Sequence, residues 1–246
     1  MDRIFFTADL HFGDRTALRH LPDRPYSHNG TTCEHDRWLA DLWCRTVRPA
    51  DTVYILGDVC AYPAPDADCL LDSLPGRKVL IWGNHDPVMR DLKCRFVTCG
   101  QLFDKRFSGR CCPEFGFPLS LVMCHYPLLT WKAKPQGALM IHGHCHGRLD
   151  DVNAMCPDLR WDVGIDSALS RRIGLENGDG FALVDLQSLY GAAVEKAGGT
   201  DLKKYVGETY MQDNPPELFS VSLKSRGKGA LHPDGEYGLT PGSDVS

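Results

Sequence analysis

The chain reads VLIWGNHD at residues 79–86: four apolar residues, a glycine, and then three polar side chains. A short apolar run that stops at a glycine is typical of a buried strand at its carboxyl end. Asn84, His85 and Asp86 carry groups that can coordinate a metal ion or accept and donate protons. This stretch therefore indicates both a strand of the core and a candidate site directly beyond it.

The same order of apolar run and coordinating side chain recurs along the chain. The residues and the runs they follow are Asp9 and His11 after 4–8, Asp58 after 53–57, Asn84 after 79–83, His125 after 119–124, and His144 and His146 after 139–143. In open α/β sheets, ligands bind beyond the carboxyl ends of the strands, so we expect these side chains to converge on one site. Glycine at 57, 83 and 143 lets the backbone turn sharply or come close to an ion.

The order of elements predicts an α/β fold with a strand-rich second half. From residue 4 to 82 the pattern alternates strand, helix, strand, helix, strand, which favours parallel pairing. Thr31 and Glu34 have the spacing of a capping box at the start of the first helix, and Pro49 ends it. The predicted strands are 52–56, 78–82, 96–98, 102–107, 119–124, 139–142, 159–165 and 180–186, and the further predicted helices are 67–74 and 189–197.

The candidate ligands are carboxylate, amide and imidazole groups, without a required thiolate. This donor set suits manganese, iron, zinc, nickel or cobalt better than calcium. Two such ions about 3.5–4 Å apart acidify a water between them and hold the oxygens of an in-line displacement at phosphorus. We therefore expect two divalent ions and hydrolysis of a phosphoester. The donor set does not rank these five metals, and manganese is taken as the first candidate.

The five motifs, in this order, resemble those of the calcineurin-like metallophosphoesterases over roughly the first two thirds of the chain. The resemblance implies a four-layered α/β/β/α sandwich of two mixed sheets flanked by helices. It also implies Asp9, His11, Asp58 and His146 as ligands of one metal ion, and Asp58, Asn84, His125 and His144 as ligands of the other. The chain departs from many members at Val59, Cys60 and Ala61, where a further acidic residue is common.

By the same resemblance, His85 binds no metal, stabilises the developing charge and protonates the leaving oxygen after attack by a metal-bridging hydroxide. The expected substrate is a phosphate monoester or diester of a small phosphorylated molecule or nucleotide. A cyclic-nucleotide phosphodiesterase or a nuclease is the alternative within this class. A non-catalytic scaffold of the same fold is the alternative from another class, but such scaffolds typically lose a ligand or the histidine, and His85 and the ligands are present here.

Substrate contacts are predicted at Arg15, Arg19, Tyr126 and Arg148, which lie near the motifs. A guanidinium could hold a phosphate oxygen, and an aromatic ring could stack on a base or sugar. Arg24 belongs to the same loop as Arg15 and Arg19. The alternative for these arginines is surface charge paired with Asp14 and Asp23, and for Tyr126 and Arg148 a place in the pocket wall or core.

Composition agrees with a cytoplasmic enzyme. The net charge of −5 argues against a surface that coats nucleic acid, although a local patch could still hold one. No apolar run approaches the roughly 20 residues of a membrane span, so no membrane partner is expected. The 11 cysteines are an odd number without a secretory signal, which favours reduced thiols.

The predicted domain organisation is a catalytic domain at 1–190 and a C-terminal extension at 191–246. Residues 224–246 have almost no apolar content, so we expect disorder there. The histidines at 20, 28, 35, 142 and 232 lie outside the motifs and are interpreted as surface or core residues. Asp166 follows a late strand, where it either orients a ligand or caps a turn.

Overall fold

The computed structural model describes residues 2–107, 118–199 and 201–213. The strands are β1 (Ile4–Thr7), β2 (Thr52–Ile55), β3 (Arg77–Ile81), β4 (Thr98–Gly100), β5 (Leu102–Phe107), β6 (Leu119–Cys124), β7 (Leu139–His142), β8 (Arg160–Asp162) and β9 (Val184–Asp185). The helices are α1 (Arg15–Leu18), α2 (Thr32–Thr46), α3 (Ala64–Ser73), α4 (Asp150–Met155), α5 (Ala168–Asn177), α6 (Leu186–Lys196) and α7 (Leu202–Asp213).

These strands form two mixed sheets. The first has the order β4-β3-β2-β1-β9, in which β1 to β4 are parallel and β9 runs antiparallel to β1. The second has the order β5-β6-β7-β8, in which only β5 is antiparallel. The chain is therefore α/β, and parallel pairing places the carboxyl ends of β1, β2 and β3 side by side, as those of β6 and β7 are.

The two sheets face each other across one hydrophobic core. The ring of Phe107 on β5 makes edge contacts with Phe6 on β1 and Tyr54 on β2, at centroid distances of 6.3 and 6.2 Å. Leu121 and Leu139 of the second sheet belong to the same buried cluster. Side chains alternate along a strand, so the neighbours of these residues point to the outer faces.

Helices α2 and α3 cover the outer face of the first sheet. Phe5 and Val53 contact a second cluster there, together with Leu39 and Trp43 of α2 and Leu71 of α3. Helix α2 begins at a complete capping box: the Thr31 hydroxyl accepts from the backbone of Glu34, whose carboxylate accepts from the backbone of Thr31. The predicted capping box is thus confirmed.

A smaller cluster covers the outer face of the second sheet. Val122 and Met140 pack there against Trp131 and Ala138, which belong to the connection between β6 and β7. Helices α5, α6 and α7 instead send Leu169, Leu189 and Leu202 into the core shared by the two sheets.

Several predicted boundaries were wrong. The strand predicted at 159–165 ends at Asp162, because its carboxylate accepts from the backbone of Gly164 and turns the chain. The strand at 180–186 shrinks to Val184–Asp185, because Asp185 caps α6 with its side chain. The strand at 96–98 lies at Thr98–Gly100, after a short 3-10 turn at Lys93–Arg95.

Four helices were not predicted: α1, α4, α5 and α7. The first two are only 4 and 6 residues long, too short for a visible apolar stripe. Helix α5 holds Gly174, whose backbone lies against Phe181 with no room for a side chain. A glycine inside a helix weakens the sequence signal, and here close packing explains it.

The compact unit that holds the two sheets extends to Thr209, whereas the predicted boundary lay after residue 190. The main core includes Ala192 and Ala193 of α6 and Ala197 directly after it. This burial explains why the compact unit continues beyond residue 190. The predicted disorder at 224–246 falls outside the described residues. None of the described helices has the length and apolar content needed to cross a bilayer.

Replacing Thr31 with Ala should lower the free energy of unfolding by about 1 kcal/mol, because the first turn of α2 loses its side-chain acceptor. Urea denaturation measures this change. Thr31→Ser keeps the acceptor and should stay within about 0.5 kcal/mol of the parent chain. Equal stability of the alanine and serine variants would contradict a role for the cap.

Candidate metal centre

The predicted ligands meet where strands of both sheets end. Two groups of side chains have ligand atoms that all lie within 4.8 Å of one another: Asp9 with His11 and His146, and Asp9 with Asp58 and His125. Asp9 belongs to both groups. The motifs that the sequence spreads over more than 130 residues thus form one cluster.

Asp58 lies between two imidazoles of this cluster. Its Oδ2 atom is 3.6 Å from Nε2 of His11 and 3.6 Å from Nε2 of His125. Nε2 of His125 is also 3.0 Å from Oδ1 of Asn84. A carboxylate with imidazoles on both sides can serve two neighbouring cations at once.

The protons of three imidazoles point away from the cluster. Nδ1 of His125 lies 2.6 Å from the Leu56 carbonyl, Nδ1 of His146 lies 2.8 Å from Asp166, and Nδ1 of His11 lies 3.2 Å from Asp14. Those oxygens can only accept, so Nδ1 donates in each ring and Nε2 of the neutral ring carries a lone pair. Fixing the tautomer through the outer nitrogen is typical of metal-binding histidines.

The inner nitrogen of His11 has no hydrogen-bond partner among the described residues, although it is buried. Burial also lowers the pKa of His11 to about 4, so the ring is neutral near pH 7 and cannot donate from both nitrogens. A buried acceptor without a donor is costly. A cation between His11 and Asp58 would satisfy both.

The carboxylates are deeply buried as well. Asp9 has no exposed surface, and burial, followed by the charges of Asp162 and Asp58, raises its pKa well above the ordinary value. Asp9 accepts from the backbone N–H of His144 at 2.9 Å. This concentration of buried negative charge favours a bound cation.

The backbone at the ligands is unusual. Seven non-glycine residues of the described chain have positive φ, and five of them are predicted ligands, namely Asp9, His11, Asp58, His144 and His146. Left-handed conformations at such residues cost on the order of 1–3 kcal/mol each and cluster at functional sites. The turns therefore aim side chains that an ordinary strand end would direct elsewhere.

Two glycines allow the strand ends to approach each other. A Cβ on Gly143 would lie 2.9 Å from Oδ2 of Asp9, and one on Gly83 would lie 2.6 Å from the backbone nitrogen of Asp58. Neither position has room for a side chain. Residue 83 must therefore be glycine, because a side chain there would collide with the backbone of Asp58.

Asp86 supports this part of the site and was not among the predicted site residues. Its carboxylate accepts from the backbone N–H groups of Asp58, Val59 and Gly83, at 2.9, 2.8 and 2.8 Å. Asp86 thereby joins the turn after β2 to the turn after β3. It supplies an acidic group next to Asp58, where residues 59–61 provide none. The sequence signal that could have identified Asp86 as a site residue was its position next to His85 in the segment 79–86.

Arg24 and Asp166 form a second support. The guanidinium donates to both oxygens of Asp166 at 2.7 Å and to the carbonyl of Leu10 at 3.0 Å, and it also contacts the carbonyl of Asp9. Burial acts to raise the pKa of Asp166, but Arg24 and His146 outweigh burial and hold this pKa below its ordinary range. Asp166 therefore orients His146, one of the two roles considered from the sequence.

Arg24 is not a surface charge, since it is 2% exposed and paired with Asp166 instead of Asp23. Both sequence-based interpretations of this residue, a phosphate contact and an exposed ion pair, were wrong. The sequence offered no clear signal, because its partner lies 142 positions away.

Asp162 was also missed. It is buried, accepts from the backbone of Gly147 at 3.1 Å and of Gly164 at 2.8 Å, and so ties the turn that carries His146 to the end of β8. Burial raises the pKa of Asp162 to about 6.

His85, Asn84 and His144 lie at the exposed side of the cluster. The backbone of His85 donates to Oδ1 of Asp58 at 2.8 Å, and its ring lies 5.5 Å from the ring of His11. Tyr126 stands beside them, with its ring 4.7 Å from that of His144. His85 is thus held next to the cluster with its ring open to solvent.

Of the predicted substrate contacts, Tyr126 and Arg148 are placed at the cluster. The hydroxyl of Tyr126 is 3.5 Å from Oδ1 of Asn84, and Arg148 lines a cavity together with His146. Arg15 and Arg19 are exposed on and after α1. A larger cavity of about 560 Å³ lies at the opposite end of β1, lined by Arg3 and Ile4, away from every predicted ligand.

The other histidines behave differently. His142 is buried and contacts Asn153 through Nε2 at 3.2 Å, and His35 contacts Asp36 through Nδ1 at 2.9 Å. Both have polar partners outside the cluster. His20 and His28 are exposed, and His232 lies outside the described residues.

A solved structure has a similar fold. It is a protein of unknown function, AQ665 from Aquifex aeolicus, with a TM-score of 0.53, 20% identity, and coverage of 78% of this chain and 100% of the other. This likeness shows the arrangement of elements only. No protein-family model matches the chain.

Relatives in sequence show the family. The Gene 66 protein of Mycobacterium phage D29 is 30% identical over 168 residues, which cover 61% of this chain and 81% of the phage protein. The Gene 66 protein of Mycobacterium phage L5 is also 30% identical, over 59% of this chain and 78% of the phage protein. The uncharacterized protein MJ1445 of Methanocaldococcus jannaschii is 35% identical, over 64% of this chain and 77% of the archaeal protein. The chain belongs to the family of these Gene 66 proteins.

Replacing Arg24 with Met should lower the free energy of unfolding of the metal-free protein by about 3 kcal/mol or more, because Asp166 would stay buried without its partner. Urea denaturation in EDTA measures this loss. Arg45→Met removes a comparable ion pair with Asp179, but both side chains are about half exposed, so the loss should stay below about 1 kcal/mol. Equal losses in the two variants would contradict the supporting role of Arg24.

Proposed function

We propose that this chain is a dinuclear metal-dependent phosphoesterase. One observation carries the proposal: the inner nitrogens of His11 and His125 both face the carboxylate of Asp58, while their outer nitrogens are bound elsewhere. Lone pairs and carboxylate oxygens repel one another unless a cation or proton lies between them. The buried unpartnered nitrogen of His11 favours the cation.

The residues fit two ions. The first would be held by Asp9, His11, Asp58 and His146, and the second by Asp58, Asn84, His125 and His144. The equal distances from Asp58 to His11 and His125 support a bridging role for this carboxylate. The mixed nitrogen and oxygen donors suit manganese, iron, zinc, nickel or cobalt without ranking them, and manganese is the ion that we propose to test first.

When bound, such ions supply an acidified water and charge stabilisation at phosphorus. The chain itself supplies the proton. His85 is exposed beside the cluster, and its backbone is fixed by Asp58, so its ring can reach the leaving oxygen of a substrate at the mouth. An imidazole is suited to this step because its ordinary pKa is near pH 7.

We extend the proposal to the architecture and the substrate. The two mixed sheets and the helices that flank them would correspond to the four-layered α/β/β/α sandwich of calcineurin-like metallophosphoesterases. The substrate would be a small phosphorylated molecule or a nucleotide, which Tyr126 and Arg148 at the rim would contact. A cyclic nucleotide or a nucleic-acid strand would be a diester substrate of the same site.

Metal-loaded protein should hydrolyse at least one of two test esters, because the proposed centre cleaves phosphoesters. Bis-p-nitrophenyl phosphate is a diester, and p-nitrophenyl phosphate is a monoester. Release of p-nitrophenolate with added manganese measures turnover, and the ratio of the two rates separates diesterase from monoesterase. Excess EDTA should abolish it. If protein shown by elemental analysis to contain manganese turned over neither ester, the enzyme proposal would fail and a non-catalytic scaffold would be favoured.

His85→Ala should lower kcat about 10²- to 10⁴-fold while metal content stays unchanged, because the ring acts on the proton and not on the ions. Asp58→Ala should lose both ions, because the bridging carboxylate is shared. Elemental analysis after gel filtration measures the metal content of each variant. A His85→Ala protein that had lost one ion would show that His85 is a ligand.

A further inference from the structure

A cavity of about 300 Å³ lies directly beside the metal-centre residues. His146 belongs both to its wall and to the cluster around Asp9. The remaining wall comes from the loop after α1, the turn after β7 and the segment that leads from β8 into α5. Its polar lining residues are His20, Asp23, His146, Arg148, Asp166 and Arg171.

The acidic residues of this wall are already occupied. Asp166 is buried and bound by Arg24 and His146, so it is not available to a cation in the cavity. Asp23 is 67% exposed and contacts Arg171 at 3.0 Å. Such an exposed pair is weak and can exchange for another anion.

The basic residues of the wall are available. Arg148 is exposed, and no carboxylate of the described residues lies within ion-pair distance of it. Arg171 is held in place by its Nε donating to the Asp166 carbonyl at 3.2 Å, and its Nη2 is the atom that reaches Asp23. His20 is exposed on the same wall. The cavity thus offers guanidinium donors next to the site without a competing free acid.

The size of the cavity limits what it can hold. A water molecule occupies about 30 Å³ of liquid, so this space takes on the order of ten water-sized groups. That is enough for a phosphate or carboxylate with a few attached atoms.

We propose that this cavity is a substrate subsite for a second anionic group, a phosphate or a carboxylate, on a small molecule whose phosphoester is cut at the metal centre. Arg148 is its principal specificity-determining residue, and Arg171 assists by exchanging Asp23 for the substrate anion. As a substrate assignment, this inference rests on the proposed phosphoesterase function. Binding of an anion in the cavity does not require turnover.

Two pairs of substrates test the subsite with manganese-loaded protein. Fructose 1,6-bisphosphate against fructose 6-phosphate tests a second phosphate, and 3-phosphoglycerate against glycerol 3-phosphate tests a carboxylate. We expect kcat/KM to favour the more anionic member of at least one pair by about tenfold or more, as for a hydrogen bond between charged groups. The preferred pair identifies the anion.

Arg148→Gln should abolish that preference, because the two members of a pair share the phosphoester and differ only in the anion that Arg148 would bind. Arg37→Gln is the matched control: it removes an exposed arginine of α2 that does not line the cavity, and the preference should persist. A preference that survives in Arg148→Gln would overturn the assignment.

A binding measurement separates the subsite from the reaction. Inorganic phosphate added to the metal-free protein should shift the side-chain Nε resonances of Arg148 and Arg171 in ¹⁵N-edited NMR spectra, but not that of Arg37. If neither cavity resonance moves and neither substrate pair shows a preference, the subsite is wrong, whereas turnover of bis-p-nitrophenyl phosphate would still support the function. Shifts at Arg148 without turnover of any ester would uphold the anion site and reject the phosphoesterase.

Discussion

The burial of two carboxylates, Asp9 and Asp58, is the constraint on which the rest of the site depends. Both are almost completely removed from water, and negative charges this close are unfavourable without a compensating cation. The surrounding groups that could compensate are imidazoles with their protons turned outward. The outer partners Asp14, Leu56 and Asp166 therefore decide what the inner carboxylates can bind.

The two-sheet architecture makes this burial feasible. Each sheet brings parallel strand ends to the same edge, and the shared core of Phe6, Tyr54 and Phe107 fixes one sheet against the other. Asp86 and Asp166 then tie the turns together through backbone N–H groups and Arg24. The predicted ligands lie on short turns, but these turns are anchored at several points to rigid strands, as a precise site requires.

The sequence predicted the elements whose signals are local. The capping box at Thr31, the strands of the first half and the convergence of ligands at strand ends all follow from spacing within a few residues. Helix α5 was missed because Gly174 obscures its pattern, and Arg24 was misassigned because its partner Asp166 is distant in sequence. Long-range ion pairs leave no periodic trace, so the supports of a site are harder to predict than its ligands.

The left-handed backbone at Asp9, His11, Asp58, His144 and His146 has a consequence for how this protein can change. Glycine adopts these conformations without the steric cost of a side chain, so a glycine there would relieve backbone strain in the metal-free fold while removing a proposed ligand. Selection for heat resistance alone would then erode the site at these positions. Under the proposed function, the five residues that activity needs are also residues whose backbone conformation folding alone does not favour, so stability and activity would conflict at these five turns.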